Sequence, residues 1–468
     1  MVELDHHLSI SSRLSLNSRI IIRMSTNSYR VFFIALFAIV NSVIPISQSN
    51  AIGSGACTST VGSDSGVVVA NSGGFCYVAF TSTGSNSWTA PSGVTSVDLL
   101  IIAGGGAGGS GAWGGGGGAG ELVVVTGYSV SSSAAKNLSV GRGGVSGTAD
   151  LNPVNNRSET GTVSWVGSAS EVVAQGGGFG ASYGYGSSST YTTGGNGGSG
   201  GGANEQNPRS PGGASTKSTS GSRTGYGNIG GYGSPFVSGG GGGGAGTAGS
   251  DAATSTGGNG GDGTNLFASW LSAINSGMAG ITGWQSATTS GYIAAGGGGG
   301  ASATRGNGGV GGGGNGIINA TSGNGESGVA NTGSGGGGTG YFNNSAQKGG
   351  NGGSGLIIIK YAQVLAVINS FNLTGNATTA TYRSIATINI NVSTPAKITF
   401  RAKGVVIAGC KNKTASGSGS SYTATCSWKP SVRGQVNLTA SIVPTGPWGN
   451  VTSTPLSIRV TNRTGTRA

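Results

Sequence analysis

The side chains that most often carry chemistry are few in this chain and poorly placed for it. The only histidines are His6 and His7, both ahead of an apolar leader, so a processed product carries none. That removes Ser-His-Asp and Cys-His relays and histidine-based metal sites. Four cysteines follow the leader, Cys57, Cys76, Cys410 and Cys426. An even number in an exported chain points to disulfides, with three connectivities open. Pairing within each apparent module favours Cys57–Cys76 and Cys410–Cys426. Closing a 15-residue loop in this way stabilises by ~3 kcal/mol in the chain-entropy description. The cysteines suit that role better than that of a thiolate nucleophile. A glycosidase-like carboxylate pair would have to come from Asp64, Asp98, Glu121, Asp150, Glu159, Glu171, Glu205, Asp251, Asp262 and Glu326. None sits in a recognisable motif, and solvated turns and strand edges are the plainer reading. The residues therefore point to no catalytic group, no metal site and no cofactor.

A nucleotide site has one apparent signature. VDLLIIA (Val97–Ala103) followed by Gly104, Gly106 and Gly109 satisfies strand-then-G-x-G-x-x-G. That motif needs a helix next, to hold pyrophosphate at its N-terminus. GAWGGGGGAG cannot supply one at ~1 kcal/mol lost per glycine, and Glu121 begins a strand rather than ending one. No nucleotide is expected.

Charge offers the more promising chemistry. Residues 363–468 hold eleven basic and no acidic side chains, whereas 52–362 hold nine basic and ten acidic ones. Arg401, Lys403, Lys411, Lys413, Lys429 and Arg433 bracket the Cys410–Cys426 segment, and alternation puts Arg401 and Lys403 on one strand face. Such a patch concentrates polyanions. Outside a cell these are phosphate-rich wall polymers, acidic polysaccharide or matrix DNA. Nucleic acid is the weaker fit, because no aromatic residues interleave with the cations for base stacking. A solvated face that only maintains solubility is the plain alternative.

The elements that must position these residues are unusual. Glycine accounts for 101 of 468 residues, mostly between Ala103 and Gly355. N-G-G-x-G recurs at Asn196, Asn259, Asn307 and Asn351. A three-residue beat is that of an extended helix with about three residues per turn and no internal hydrogen bonds, so its backbone groups must pair with neighbouring segments. Eleven prolines and no sustained G-X-Y run argue against collagen. Strand-like runs spaced among the glycines argue against a flexible linker: VDLLIIA, ELVVV, TVSWV, EVVA and LIIIKY. Leu266–Trp284 has near-helical spacing at Leu266, Trp270, Leu271 and Ile274, and reads either as a short helix on the bundle or as an apolar loop on a sheet.

Beyond Ala362 glycine thins and period-two alternation takes over. Seven strand-sized runs, VLAVINSFNL, SIATINI, KITFRAK, GVVIAGC, SYTATCSW, QVNLTASIV and PLSIRV, predict an immunoglobulin-like sandwich. Cys410 and Cys426 are expected on neighbouring strands, and Trp428 in the core. The apolar run Val31–Ile46 follows Arg30 and leads into Ser49-Asn50-Ala51, as in a secretory signal peptide, and is short for a membrane span. Met24 is an alternative start. The expected organisation is a leader over 1–51, a Cys-containing β lead-in over 52–90, a glycine-rich domain over 91–362 and a basic Ig-like domain over 363–468.

WTAPSGVTSVDLLIIAGGGAGG, GGGGGAGELVVVTGYSV and the closing GGNGGSGLIIIKYA resemble the glycine-rich domain of secreted and surface proteins, common in actinobacteria, and of related phage adhesins. The tail, with KITFRAKGVVIAGCKNKT and TCSWKPSVRGQVNLTASIVPTG, is similar to bacterial Ig-like surface repeats. The resemblance implies an all-β chain: a jelly-roll-like strand framework with packed polyglycine II helices, as in the glycine-rich module of anaplastic lymphoma kinase, and then an Ig-like β-sandwich. It supplies no functional residues. The expectation is an exported, non-enzymatic protein, secreted or held non-covalently at the cell surface, with no transmembrane span in the mature chain. Its basic module would hold an envelope polyanion or surface glycan, while loops such as Phe179–Tyr191 and Tyr226–Phe236 project from the glycine-rich module. A passive matrix component is the alternative, and binding to ice or a crystalline polymer a third.

Overall fold

Runs with four consecutive apolar residues, such as Leu99–Ile102 in SVDLLII and Leu356–Ile359 in LIIIKYA, suit strands covered on both faces, and the chain uses them that way. The computed structural model describes residues 57, 60–61, 66–149, 157–183, 192–204, 209–235, 237–341, 346–445 and 448–462. The expected leader, with Met24 and Val31–Ile46, lies outside the described residues, as do Asp64, Asp150, Glu205 and most of Phe179–Tyr191. The glycine-rich half is framed by β1 (Thr60–Val61), β2 (Val67–Ser72), β3 (Phe75–Phe80), β4 (Gly84–Thr89), β5 (Ser96–Ile102), β6 (Leu122–Ser129), β7 (Ala135–Val140), β8 (Ser164–Val166), β9 (Val172–Ala174), β10 (Arg223–Tyr226) and β11 (Leu356–Ala362). They form a five-stranded sheet, β1-β4-β7-β8-β9, and a six-stranded sheet, β10-β6-β5-β11-β3-β2. Strands β2 to β4 of the lead-in thus belong to the same two sheets as the strands that flank the glycine segments.

Alternate residues of the six-stranded sheet face opposite ways. Val78, Phe80, Leu99, Ile101, Ile357 and Ile359 meet Trp88, Leu138 and Val140 of the five-stranded sheet in one core. Tyr77, Ala79, Leu100, Ile102, Leu356 and Ile358 face the other way, against Trp270, Leu271, Ile274 and Trp284. Those last four belong to two short helices, α1 (Ala268–Ile274) and α2 (Trp284–Thr288). Leu266–Trp284 is therefore helical in part and also lies on the sheet. Leu266 itself is 64 % exposed and does not share the buried face.

Two polar groups of this core, Trp88 Nε1 and the Tyr361 hydroxyl, lack a partner among the described residues. Tyr361 is buried, tilts against Trp88 at 5.8 Å between ring centroids, and its hydroxyl has no hydrogen-bond partner among the described residues. Burial pushes its pKa from 10.0 up to about 12. The unfolded tyrosine ionises first, so stability is intact below pH 10 and falls as pH rises toward 12, by roughly 2–3 kcal/mol. Tyr361→Phe is expected to raise stability by about 1 kcal/mol at neutral pH and to flatten that alkaline fall. Urea unfolding at both pH values checks this, and an unchanged alkaline slope would count against it.

The glycine segments leave the framework at one end, because Leu122 pairs with both Ile102 and Tyr226, and Ile102 also pairs with Leu356. Their hydrogen bonds turn to a new neighbour at each residue. In 103–111, the N–H groups of Ala103, Gly106 and Gly109 donate to the carbonyls of Glu121, Gly118 and Gly115. Those of Gly104 and Ala107 donate to Thr162 and Glu159, and those of Gly105, Gly108 and Gly111 to Gly353, Gly350 and Gln347. All eight bonds span 2.8–3.1 Å. The 114–121 segment repeats the scheme with Thr339, Gly336 and Gly333, then Ala181, Gly178 and Gln175, then Gly240 and Gly243. This is the packed polyglycine II arrangement that the three-residue beat predicts. A single bond contributes a net ~0.5–1.5 kcal/mol against roughly 1–2 kcal/mol to order a residue's backbone. The helices therefore depend on the strands, which fix both ends of each excursion.

The asparagine of the N-G-G-x-G motif has a role of its own. At Asn196, Asn259, Asn307 and Asn351 the residue is exposed, at the edge of the lattice. At three of the four, Asn196, Asn259 and Asn351, the side-chain oxygen takes the place of a carbonyl for an N–H of the next helix. Asn196 Oδ1 accepts from Ala214 N at 2.8 Å, Asn259 Oδ1 from Asn307 N at 2.9 Å, and Asn351 Oδ1 from Ser146 N at 2.9 Å. Asn315 does the same for Gly308, whose N–H lies 2.9 Å away.

The tail comprises β12 (Ile368–Leu373), β13 (Thr379–Thr381), β14 (Ala386–Val392), β15 (Ala396–Ala402), β16 (Val405–Val406), β17 (Lys413–Thr414), β18 (Ser416–Ser418), β19 (Ser421–Trp428), β20 (Gly434–Pro444), β21 (Val451–Thr452) and β22 (Leu456–Thr461). A four-stranded sheet, β12-β14-β19-β18, faces a larger one, β13-β22-β20-β15-β16, with β17 on β15 and β21 on β20. Ile388, Ile390 and Trp428 from the first sheet and Ile398, Phe400, Leu438 and Ile442 from the second share one core. Each of the seven expected runs contains a strand.

Both expected disulfides form, Cys57–Cys76 and Cys410–Cys426. The second is not between neighbouring strands. Cys410 lies in the 407–412 loop, where its carbonyl accepts from Phe400 N of β15 at 3.0 Å, while Cys426 lies on β19 of the opposite sheet. The bond therefore joins the two layers, because the loop after β16 folds back over the core instead of continuing the sheet.

Candidate functional site

The glycines that mimic a nucleotide fingerprint have no N–H to offer a phosphate. Gly104, Gly106 and Gly109 donate to Thr162, Gly118 and Gly115 within the lattice. The described carboxylates are also committed. Asp98 pairs with Lys360 at 3.7 Å, Glu159 with Arg142 at 2.8 Å, Glu171 with Lys136 at 3.6 Å, Asp251 with Arg209 at 3.1 Å and Glu326 with Arg305 at 3.4 Å. Asp262 accepts from Val310 N at 2.8 Å. The hydrogen bond from Arg142 holds the Glu159 carboxyl below its ordinary value.

Glu121 differs because it is fully buried. Its two oxygens accept from Gln175 N and Ser218 N, each at 2.8 Å. Arg223 lies 3.7 Å away and also donates to Val173 O. Burial raises the carboxyl's pKa, opposed by the Ser218 and Gln175 N–H groups and by the Arg223 charge. This group joins lattice to sheet and does not face an open cleft.

Aromatic residues collect where the 103–111 and 114–121 helices are joined. The Trp113 ring lies 6.0 Å from that of Tyr183 and 5.3 Å from that of Tyr341, and its indole N–H donates to Asn319 Oδ1 at 3.1 Å. Tyr183 belongs to the expected display loop. Tyr226, the first residue of the second expected display loop, is instead held in the framework, since it ends β10 and packs edge-on against Phe267 at 5.9 Å. Tyr232, 44 % exposed, is the displayed ring of that second stretch.

The basic residues follow the tail's topology. Arg401 lies on β15, its Nη1 donating to Ser441 Oγ at 2.6 Å. Lys403 is not its strand-face neighbour. With Gly404 it makes the two-residue turn to β16, at φ 50° and 79°, the pattern of a tight I′ hairpin. Lys413 pairs with Ile398 on the same strand, Lys411 follows the disulfide-bonded Cys410, and Lys429 and Arg433 lie between β19 and β20. Three further cations join them. Alternation within KITFR puts Lys397 on the outward face with Arg401, and Arg459 opposes Gln435 in the same sheet. Arg383 and Arg433 both stack on Tyr382, at 5.2 and 4.6 Å. The first was legible in the KITFR pattern; the Tyr382 arrangement needs the register of β13 and had no local signal. Among the described residues none of these cations has a carboxylate partner, and the segment itself has no acidic side chain.

Among the described residues no helix is long and apolar enough to cross a membrane. No curated protein matches the chain. Residues 81–362 match the glycine-rich domain family, from within β3–β4 to the last residue of β11, and the chain belongs to that family.

Proposed function

We propose that this is an exported, non-catalytic surface protein of the adhesin type, whose basic Ig-like sandwich associates with an envelope polyanion or surface glycan while the rigid glycine-rich module displays its loops. The observation that carries this reading is the charge of residues 363–468, eleven basic and no acidic side chains. Nothing in the module neutralises them, so their field extends outward. Nucleic acid is disfavoured because Tyr382, the ring nearest the cations, is already stacked by two guanidinium groups.

The test is charge reversal at Arg401, Lys403, Lys411 and Lys413 in the full chain. Retention on isolated cell walls is expected to fall at least about tenfold, a loss of ~1.4 kcal/mol. Retention of the unaltered protein should also fall as salt rises toward ~1 M, where the screening length is about 3 Å. Unchanged retention would favour a passive structural component, a reading supported by the mutually satisfied glycine backbones.

A further inference from the structure

One end of the tail sandwich presents cations and bare aliphatic side chains together. Three connections build it: 382–385 between β13 and β14, the 403–404 hairpin, and 429–433 between β19 and β20. The registers Thr381 with Thr461, Val460 with Gly434, Leu438 with Ala402 and Trp428 with Ala386 place all three at the same end. The chain arrives from the glycine-rich half at the other end, where Leu365 bridges to Gly449 and Ile368 pairs with Val392.

Ile385 is 73 % exposed, Val405 71 % and Val432 42 %. Each stands beside exposed cations: Arg383, Lys403, and Lys429 with Arg433. Arg383 and Lys403 also occupy left-handed backbone, at φ 60° and 50°, where glycine or asparagine costs less. Exposed aliphatic tips gain nothing in water, and unpaired like charges repel. A soluble polyanion answers only the second cost. An anionic bilayer surface answers both: headgroups neutralise the cations, and the acyl boundary receives the aliphatic side chains.

We propose that this end docks on an anionic lipid bilayer, with Ile385, Val405 and Val432 entering the headgroup region between the cations. The proposal shares its cations with the polyanion reading and adds an apolar contact that a soluble polymer does not need. The experiment is cosedimentation of the full chain with phosphatidylcholine vesicles, with and without phosphatidylglycerol, beside binding to soluble inorganic polyphosphate. The expected result is binding to polyphosphate and, of the two kinds of vesicle, to the anionic one alone. Combining Ile385→Ser, Val405→Ser and Val432→Ser should weaken vesicle binding at least about tenfold and leave polyphosphate binding unchanged. Val405→Ser alone, at an exposed position, should give part of that loss with an unchanged melting temperature. Polyphosphate binding without vesicle binding overturns the proposal and spares the polyanion reading, as does a triple variant that binds vesicles like the parent. Binding to neither overturns both.

Discussion

Gly106→Ala is expected to destabilise the glycine-rich domain by roughly 4 kcal/mol or more, lowering its melting temperature by roughly 10 °C. A β-carbon on Gly106 would stand 2.0 Å from Gly178 O and 2.5 Å from its carbonyl carbon. The obstacle is backbone, and it cannot rotate aside as a side chain can. Gly106 also sits mid-lattice, donating to Gly118 and accepting from Gly336, so relief by movement breaks bonds to two further helices. Ala107, one residue on, is fully buried with its methyl group in place. Exclusion therefore depends on direction and not on depth. Gly280→Ala is the control, since that glycine is exposed and has nothing within 4 Å of the added carbon. It should change stability by less than about 0.5 kcal/mol. If both variants melt like the parent, the lattice is not packed backbone to backbone.

This contrast shows what the sequence could reveal. The three-residue beat was legible because hydrogen-bond direction advances by a third of a turn per residue, a property of local geometry. Which helix lies beside which was not legible, because glycine carries no pairing information. Partner choice rests on where the strands end, as at Leu122, and on edge residues such as Asn259. The runs around Leu100 and Ile358 were legible because burial on two faces requires apolar residues at every position. AKNLSV and RTGY gave no such signal, since β7 contributes only Leu138 and Val140 to its core and β10 lies at a sheet edge. In the tail, the composition marked the cation-rich module but not the end that gathers Arg383, Lys403 and Arg433. That placement depends on β13 running parallel to β22, a pairing between segments some eighty residues apart in sequence.

Glu121→Ala is expected to cost roughly 3 kcal/mol at neutral pH, near the lower end of what breaking a buried ion pair costs, because the Arg223 side chain keeps 20 % exposure. Two backbone donors, Gln175 N and Ser218 N, lose their acceptors, and the guanidinium loses the carboxylate it pairs with. Position amplifies the loss. Glu121 O also accepts from Ala103 N, and Glu121 N donates to Gln175 O, so the residue ties the 103–121 excursion to the one that follows β9 where both meet the sheet. The pH dependence separates this role from simple packing. Burial raises the folded carboxyl's pKa above the ordinary 4.5, so the folded state holds its proton longer than the unfolded chain does. Stability from this group is therefore greatest at acid pH and declines as pH rises through the carboxylate range. Glu121→Gln has no such step. The stability of the parent relative to Glu121→Gln, measured by urea unfolding from acid to neutral pH, should fall as pH rises. A difference independent of pH would mean that Glu121 is ionised equally easily in both states, and that its two N–H donors and Arg223 fully offset its burial.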